Sequence, residues 1–302
     1  MDTKIVGMET EALRWFQQVA DGYTVTEVSE IYRISQPSVS RALARLEAEL
    51  GTSLLRKSGR VLRLTHAGAT FKRHVDTLIH ELDDGVAAVE QLLDPATGTV
   101  RLSFQPSLGS WLVPELVASF RVAQPGVTFQ LTRSDGTLGS APLAEGAVDL
   151  ELTSRRPHHP AVTSRRLFSE PLVLIVPPGH AFARRPEVWL REAAAEPFVV
   201  LPPQRTLRVQ ADELCRDAGI DPHVAFVADD LATLRGFVAA GLGVAVMPAM
   251  GAEPGRTASD GATPVPLADA GARRTITLLW SAERRLLPSA EAFRRHVLSH
   301  DG

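Results

Sequence analysis

The chain has a single cysteine, Cys215, in 302 residues. One thiol cannot close an intramolecular disulfide, so packing has to hold this fold without covalent help. Nor does any apolar run approach the ~18 residues of a membrane-spanning helix. The opening residues, MDTKIVGMETEALRWF, put acids where a secretory leader has a basic start and an apolar stretch. Three catalytic signatures are also missing: a glycine-rich phosphate loop after a strand, a G-x-S-x-G elbow, and a His/Cys/Asp cluster. His158 and His159 are neighbours whose side chains point apart, and no third ligand accompanies them. Together these absences predict a soluble cytoplasmic protein with no metal, no cofactor and no contact with a membrane.

Apolar residues make up 44% of the chain, enough for a substantial core. The net charge of −3 by itself indicates no polyanionic partner, but the charge is unevenly spread. Between Arg33 and Arg63 there are seven basic residues against two acidic ones, Glu47 and Glu49. A local basic excess inside an acidic chain is a nucleic-acid signal.

That stretch also has a recognisable architecture. Residues 9–20 and 25–32 read as short helices, the first with Leu13, Phe16, Val19 and Ala20 on one face, the second with Val28 and Ile31 as packing residues. SQPSVSRALARLEAELG (35–51) reads as a third, with Ser35 as cap, Pro37 in the first turn and Gly51 as stop. At 100° per residue Val39, Ala42, Leu43, Leu46 and Leu50 share the core face. The opposite face carries Pro37, Arg41, Ala44, Arg45 and Ala48. Two arginines one turn apart, separated by alanines that leave the backbone approachable, suit a helix lowered into the major groove. Gln36 and Ser40 would offer donors and acceptors to bases. SLLRKSGRVLRLT then reads as strand, turn, strand with a basic tip. A basic hairpin beside a two-helix turn predicts a winged helix-turn-helix.

Residues 67–93 form a longer helix with an apolar stripe: Phe71, Val75, Leu78, Leu82, Val86, Val89 and Leu93. Their 4-3-4 spacing predicts a dimerising seam, although such a stripe could also dock on its own domain. Pro95 and Gly98 mark a hinge. From Thr99 onward strands alternate with helices: strands at TVRLSF, VTFQLT, AVDLELT, EPLVLIVPP, EPFVVLP, VAFVAD, LGVAVMP and RTITLLW, and helices at 110–124 and near 205–218, 230–240 and 288–299. This order predicts parallel sheets in two α/β lobes with a cleft between them. Gly241 and Gly243 would let a loop approach closely.

At this point the residues match a known pattern. VTEVSEIYRISQPSVSRALARLEAELGTSLLRKSGRVLRLTHAG resembles the N-terminal domain of LysR-type transcriptional regulators, and VRLSFQPSLGSWLVPELVASFRVAQPGVTFQL, EGAVDLEL, EPLVLIVPPGH, EPFVVLP and FVAAGLGVAVMP follow in the family's order. The resemblance implies a winged helix-turn-helix over 8–66, a linker helix and hinge over 67–97, and over 98–302 an effector domain similar to periplasmic binding proteins. Its lobes would be about 98–170 with 273–302, and about 171–272. It implies homodimers that pair into homotetramers on an interrupted palindrome of double-stranded promoter DNA, controlled by a small-molecule effector. On this resemblance the DNA contacts fall on Gln36, Pro37, Ser38, Ser40, Arg41 and Arg45, and on Arg56, Lys57 and Arg60 of the wing. The effector contacts fall on Ser107 and Leu108, with Thr137, Arg205, Thr206 and Leu207 on surrounding loops. Two departures stand out. Val28-Ser29 replaces a usual pair of alanines, and Glu151, read as a cleft contact or salt-bridge partner, replaces a small or apolar residue, with Arg155, Arg156 and Arg205 to offset its charge.

Alternatives remain at this stage. Ser107 lies in the first strand-to-helix turn, where it is either a ligand contact or a plain cap. Cys215 on its helical stripe reads as a core thiol. A ligand-free architectural DNA protein and an α/β enzyme with a DNA-binding module are the competing functions.

Overall fold

The computed structural model describes residues 9–58, 61–93, 97–134, 141–155, 159–249 and 261–300. Arg60, Thr137, Arg156 and His158 lie outside the described residues, as does the side chain of Leu93. The chain divides into two compact units, Met1–Leu92 with Glu145–Ala147, and Leu93–Ala144 with Val148–Gly302.

The first unit opens with α1 (Thr10–Ala20), α2 (Val25–Ile31) and α3 (Gln36–Leu50). Thr24 caps α2 in a reciprocal pair with Glu27. Ser35 caps α3, and Gly51 ends it at φ +69°, a left-handed conformation that favours glycine. The two residues that depart from the family pattern pack without penalty. Val28 is fully buried, and the hydroxyl of the buried Ser29 donates to Thr26 O at 2.7 Å. Ile31, expected in the core, is 55% exposed, while Trp15 joins the core instead.

The hairpin follows as β1 (Leu55–Ser58) and β2 (Val61–Leu64), paired antiparallel. Glu47 on α3 fixes its base, because one carboxylate oxygen accepts from Leu54 N at 2.7 Å and Leu55 N at 2.9 Å. The long helix α4 (His66–Leu93) starts where the Thr65 hydroxyl accepts from Gly68 N at 3.0 Å. A Cβ on Gly68 would stand 2.0 Å from Leu54 O, so only glycine lets α4 seat this closely. Its first turns belong to the core of this unit. The Phe71 ring lies tilted against Phe16, with centroids 5.6 Å apart, and Val75 and Ile79 are 3% and 2% exposed. Arg14 pairs with Asp83, and Gln17 donates to Asp76 at 2.9 Å, tying α1 along α4. The stripe read as one seam is therefore two. Phe71 and Val75 pack within their own unit, while Leu78, Leu82, Val86 and Val89 are 50%, 43%, 53% and 56% exposed.

The second unit runs β3 (Gly98–Phe104), α5 (Leu112–Ala123), β4 (Val127–Arg133), α6 (Ala141–Ala144), β5 (Leu150–Thr153), β6 (Val162–Val176), β7 (Pro197–Val200), α7 (Thr206–Asp217), β8 (His223–Val227), α8 (Leu231–Ala239), β9 (Ala245–Pro248), β10 (Thr263–Pro266), β11 (Arg273–Ser281) and α9 (Pro288–Ser299). Two cores organise it. One gathers Val100, Leu102, Leu116, Phe120, Leu150, Leu152, Ile276, Leu278 and Phe293. The other gathers Leu172–Val176, Phe198, Val199, Leu214, Leu234, Val238 and Val244–Met247.

The sheets are mixed, contrary to the parallel expectation. β3 pairs in parallel with β4 and β5, and β7 with β8, but β11 runs antiparallel to both β5 and β6. β6 leads from the first core to the second and β11 returns beside it, so neighbouring crossovers have to run in opposite directions. β6 also begins eight residues before the apolar run that marks it, because Thr163–Arg166 alternates poorly on a half-exposed edge. Gly243, at φ +153°, lies against β7, where a Cβ would stand 2.4 Å from Pro197 O. Its close approach therefore serves strand packing rather than a loop.

Candidate functional site

Two surfaces stand out, one in each unit. In the first unit the outer face of α3 is exposed at Gln36, Pro37, Ser40, Arg41, Ala44, Arg45 and Ala48, while Val39, Leu43 and Leu46 are buried. This face follows from the 3.6-residue period and the cap. Its residues differ in freedom. Arg41 has no ion-pair or hydrogen-bond partner among the described residues, whereas Arg45 lies 3.0 Å from Glu9 and 3.8 Å from Glu49. Both contacts are surface pairs worth little, so a phosphate could displace them. Ser38 belongs to the cap, with its hydroxyl 2.8 Å from that of Ser35. On the hairpin Arg56 pairs in register with Arg63, and Arg56, Lys57 and Arg63 are exposed. With Glu47 turned inward onto backbone N–H groups, the basic excess here is greater at the surface than the residue count suggests.

In the second unit a cavity of about 330 Å³ opens between the two cores. Gln105, Ser107 and Ser110 approach from the end of β3 and the turn before α5, and Arg133 and Ser134 from the end of β4. Opposite lie the first turns of α7 (Arg205, Thr206, Leu207) and α8 (Asp230, Leu231, Ala232), with Arg235, Met247 and Pro248. Free N–H groups and the positive dipole ends of these helices meet three arginine side chains there. Against them stand Asp229 and Asp230, and Asp230 is engaged as the α8 cap, accepting from Thr233 N at 2.8 Å.

The sequence-derived residues divide. Ser107, Arg205, Thr206 and Leu207 line the cavity. Leu108 does not, because it is fully buried in the first core beneath the turn. Glu151 does not either. It is 3% exposed on β5 and accepts from the Ser134 hydroxyl at 3.1 Å. Burial raises its pKa above the ordinary carboxylate value, against the opposing pull of Ser134 and Arg155. It reaches the cavity only through Ser134. Sequence reasoning missed Gln105, Arg133, Asp230 and Arg235. Asp230 had a local signal, an acid before the helical pattern LATLRGF, but the others gain their position only from the fold.

Beneath the cavity lies a buried polar chain. Arg274 Nη1 donates to Ser107 Oγ at 2.7 Å, and Arg274 Nε donates to Glu170 Oε2 at 2.7 Å. Nη2 is 2.6 Å from the same oxygen but off line for a hydrogen bond. Arg274 and Glu170 are 2% and 1% exposed and face each other in register where β11 passes β6. Beside them Gln105 Oε1 accepts from Ser154 N at 2.9 Å and from Ser154 Oγ at 2.8 Å. Gln210 on α7 donates to Ser154 O at 3.0 Å, linking the two sides. Cys215 is 3% exposed in the second core, with its thiol pushed up to about 11 mainly by burial. Among the described residues no group of His, Cys, Asp and Glu is arranged to hold a metal ion, and no helix is long and apolar enough to cross a membrane.

Comparison with known proteins matches residues 10–69 to the model for bacterial regulatory helix-turn-helix proteins of the lysR family, and residues 94–302 to the LysR substrate binding domain. The HTH-type transcriptional regulator YybE of Bacillus subtilis (strain 168) is 36% identical over 295 residues, covering 97% of this chain and 99% of that protein. The transcriptional dual regulator GltC of the same strain is 31% identical over 292 residues, covering 96% and 97%. Among solved structures, CbnR, a LysR family transcriptional regulator, superposes with a TM-score of 0.74 at 21% identity over 96% of this chain and 98% of its own. CbnR is also known in complex with its target DNA.

Proposed function

Because the chain belongs to the LysR family of transcriptional regulators, we propose that it reads an interrupted palindrome in duplex promoter DNA through α3 and changes its action when a small molecule fills the cavity. The observation that carries the DNA half is the exposed face of Gln36, Pro37, Ser40 and Arg41 beside the basic hairpin. Gln36 and Arg41 have the planar, bidentate groups that match base edges, and Arg56, Lys57 and Arg63 suit phosphates. The complex of CbnR with its target DNA supports the same use of this domain. The exposed stretch Leu78–Val89 of α4 joins two copies, and two such dimers span the separated half-sites. The cavity, with its backbone donors and arginines, favours the sensor over an architectural protein that binds no ligand. The two cores support lobes of about 98–170 with 273–302, and about 171–272.

Arg41→Ala is expected to cost ~1–3 kcal/mol of specific affinity if Arg41 makes a bidentate base contact. Gel-shift titration on the DNA upstream of the gene measures this, and unchanged affinity in a folded variant would remove α3 as the reader. Lys57→Ala should act differently. It should weaken all sequences alike and reduce the slope of log K against log salt by about one. A changed base preference with an unchanged slope would make the wing a reader.

A further inference from the structure

The hydroxyl of Ser107 and the amide of Gln105 are each committed on one side by a buried group that can act in only one direction. A guanidinium only donates, so Ser107 Oγ, 2.7 Å from Arg274 Nη1, accepts, and its proton is turned away from that cation. A backbone N–H likewise only donates, so the Gln105 atom facing Ser154 N is its oxygen, and the NH₂ group is the end left over. Gln105 is 5% exposed, and its Nε2 has no hydrogen-bond partner among the described residues. Both residues line the cavity.

We propose that the buried Glu170–Arg274 pair is a positioning device that presents Ser107 to the cavity as a donor, so that Ser107 and Gln105 together select a ligand whose buried end is acceptor-only, a carboxylate or similar oxyanion rather than an alcohol or an amine. Glu170 is needed because an unpaired guanidinium would not be held at this depth; its carboxylate fixes the arginine from the neighbouring strand, in register. An alcohol oxygen could also accept from both, but its own proton would still need an acceptor and it brings no charge to Arg133, Arg205 and Arg235, whereas a carboxylate fills both donors and pairs with that positive lining. The NH₂ of Gln105 likewise has no acceptor among the described residues, and a carboxylate in the cavity would supply one. The remainder of the ligand would lie against Leu207, Leu231 and Met247. The ligand class rests on the proposed cavity-sensor reading; the orientation of Ser107 does not.

The test has two arms in the full-length chain. In the first, Ser107→Cys is made in a Cys215→Ala background, and iodoacetamide labelling is followed against pH. The introduced thiol should reach half-maximal labelling below the ordinary ~8.5 of a free thiol, because Arg274 stabilises the thiolate. Adding Arg274→Met with Glu170→Met, a replacement of a buried pair that folds commonly tolerate, should raise that midpoint by at least about one pH unit, a tenfold loss of thiolate at fixed pH. Equal midpoints in the two backgrounds overturn the positioning role, as does a midpoint at or above 8.5 with the native pair. In the second arm, calorimetry compares benzoate with benzyl alcohol, glutarate with 1,5-pentanediol, and acetate with ethanol on the unmodified chain. Within any pair that binds, the acid should be favoured roughly ten- to a hundredfold. An alcohol binding as well as its acid overturns the selectivity and leaves the cavity reading in place. Silence from every pair, in a chain whose thiol arm succeeds, counts against the cavity as a sensor of small acids and leaves the orientation of Ser107 standing.

Discussion

Leu78→Asp combined with Leu82→Asp is expected to convert the protein from dimers to monomers without loosening its N-terminal unit. The two leucines are 50% and 43% exposed in the single chain, so two carboxylates there meet only water when the chain is alone. In a dimer that buries the stripe with Val86 and Val89, each carboxylate would have to be desolvated without a partner, at a cost of several kcal/mol. Binding to a palindrome should fall with the dimer, because the two half-sites would no longer be held by one molecule. Light scattering at micromolar concentration, with a thermal melt as control, is the measurement. Persisting dimers would mean that another surface joins the copies. Val75→Asp makes the contrast. Val75 is 3% exposed against the helix-turn-helix core, and that substitution should unfold the unit rather than merely separate the copies.

The second large effect is expected in the floor of the cavity. Arg274→Met alone should destabilise the effector domain by ~3–5 kcal/mol, because the 1%-exposed Glu170 carboxylate would lose the charged hydrogen bond from Arg274 Nε. Burial already pulls the pKa of Arg274 below its ordinary value while Glu170 pulls it up, so the arginine's charge leans on that carboxylate. Adding Glu170→Met should recover most of the loss, since two apolar side chains can fill the volume without any desolvation cost. Urea unfolding of the three proteins checks this. A double variant no more stable than the single one would show that geometry, and not charge, is what the pair supplies.

The proposed DNA-reading surface was largely legible because it is local. The α3 cap, the inward Val39, Leu43 and Leu46, and the outward Arg41 follow from one helical period and one capping serine. The sequence could not show that Ser38 is spent on the cap, nor that Arg45 meets Glu9, a residue thirty-six positions away. The stripe on α4 shows the same limit. Its spacing was visible, but Phe71 and Val75 turn inward and Leu78 outward only because α1 lies along the first turns. Spacing states which residues share a face and leaves open what covers it.

The cavity was legible only in part. Ser107 and Thr206 could be named because each stands at a strand-to-helix junction, and Leu108 was misplaced because one step along a tight turn exchanges cavity for core. Glu151 was read as a cleft contact or a salt-bridge partner because it stands where the family usually has a small or apolar residue, and it is buried facing Ser134. By itself, then, the sequence determined the family, the order of domains, the helix proposed to meet DNA and the positions of most strands. The helices and strands are written in local period, capping chemistry and composition, whereas the family and its domain order rest on the resemblance of longer segments. Only the tertiary structure decided which charges are spent inside the chain, where β6 and β11 cross, and that Arg274, Glu170 and Ser107 meet. These three residues lie up to 167 positions apart, and no local pattern encodes a contact made when two strands pass each other in opposite directions.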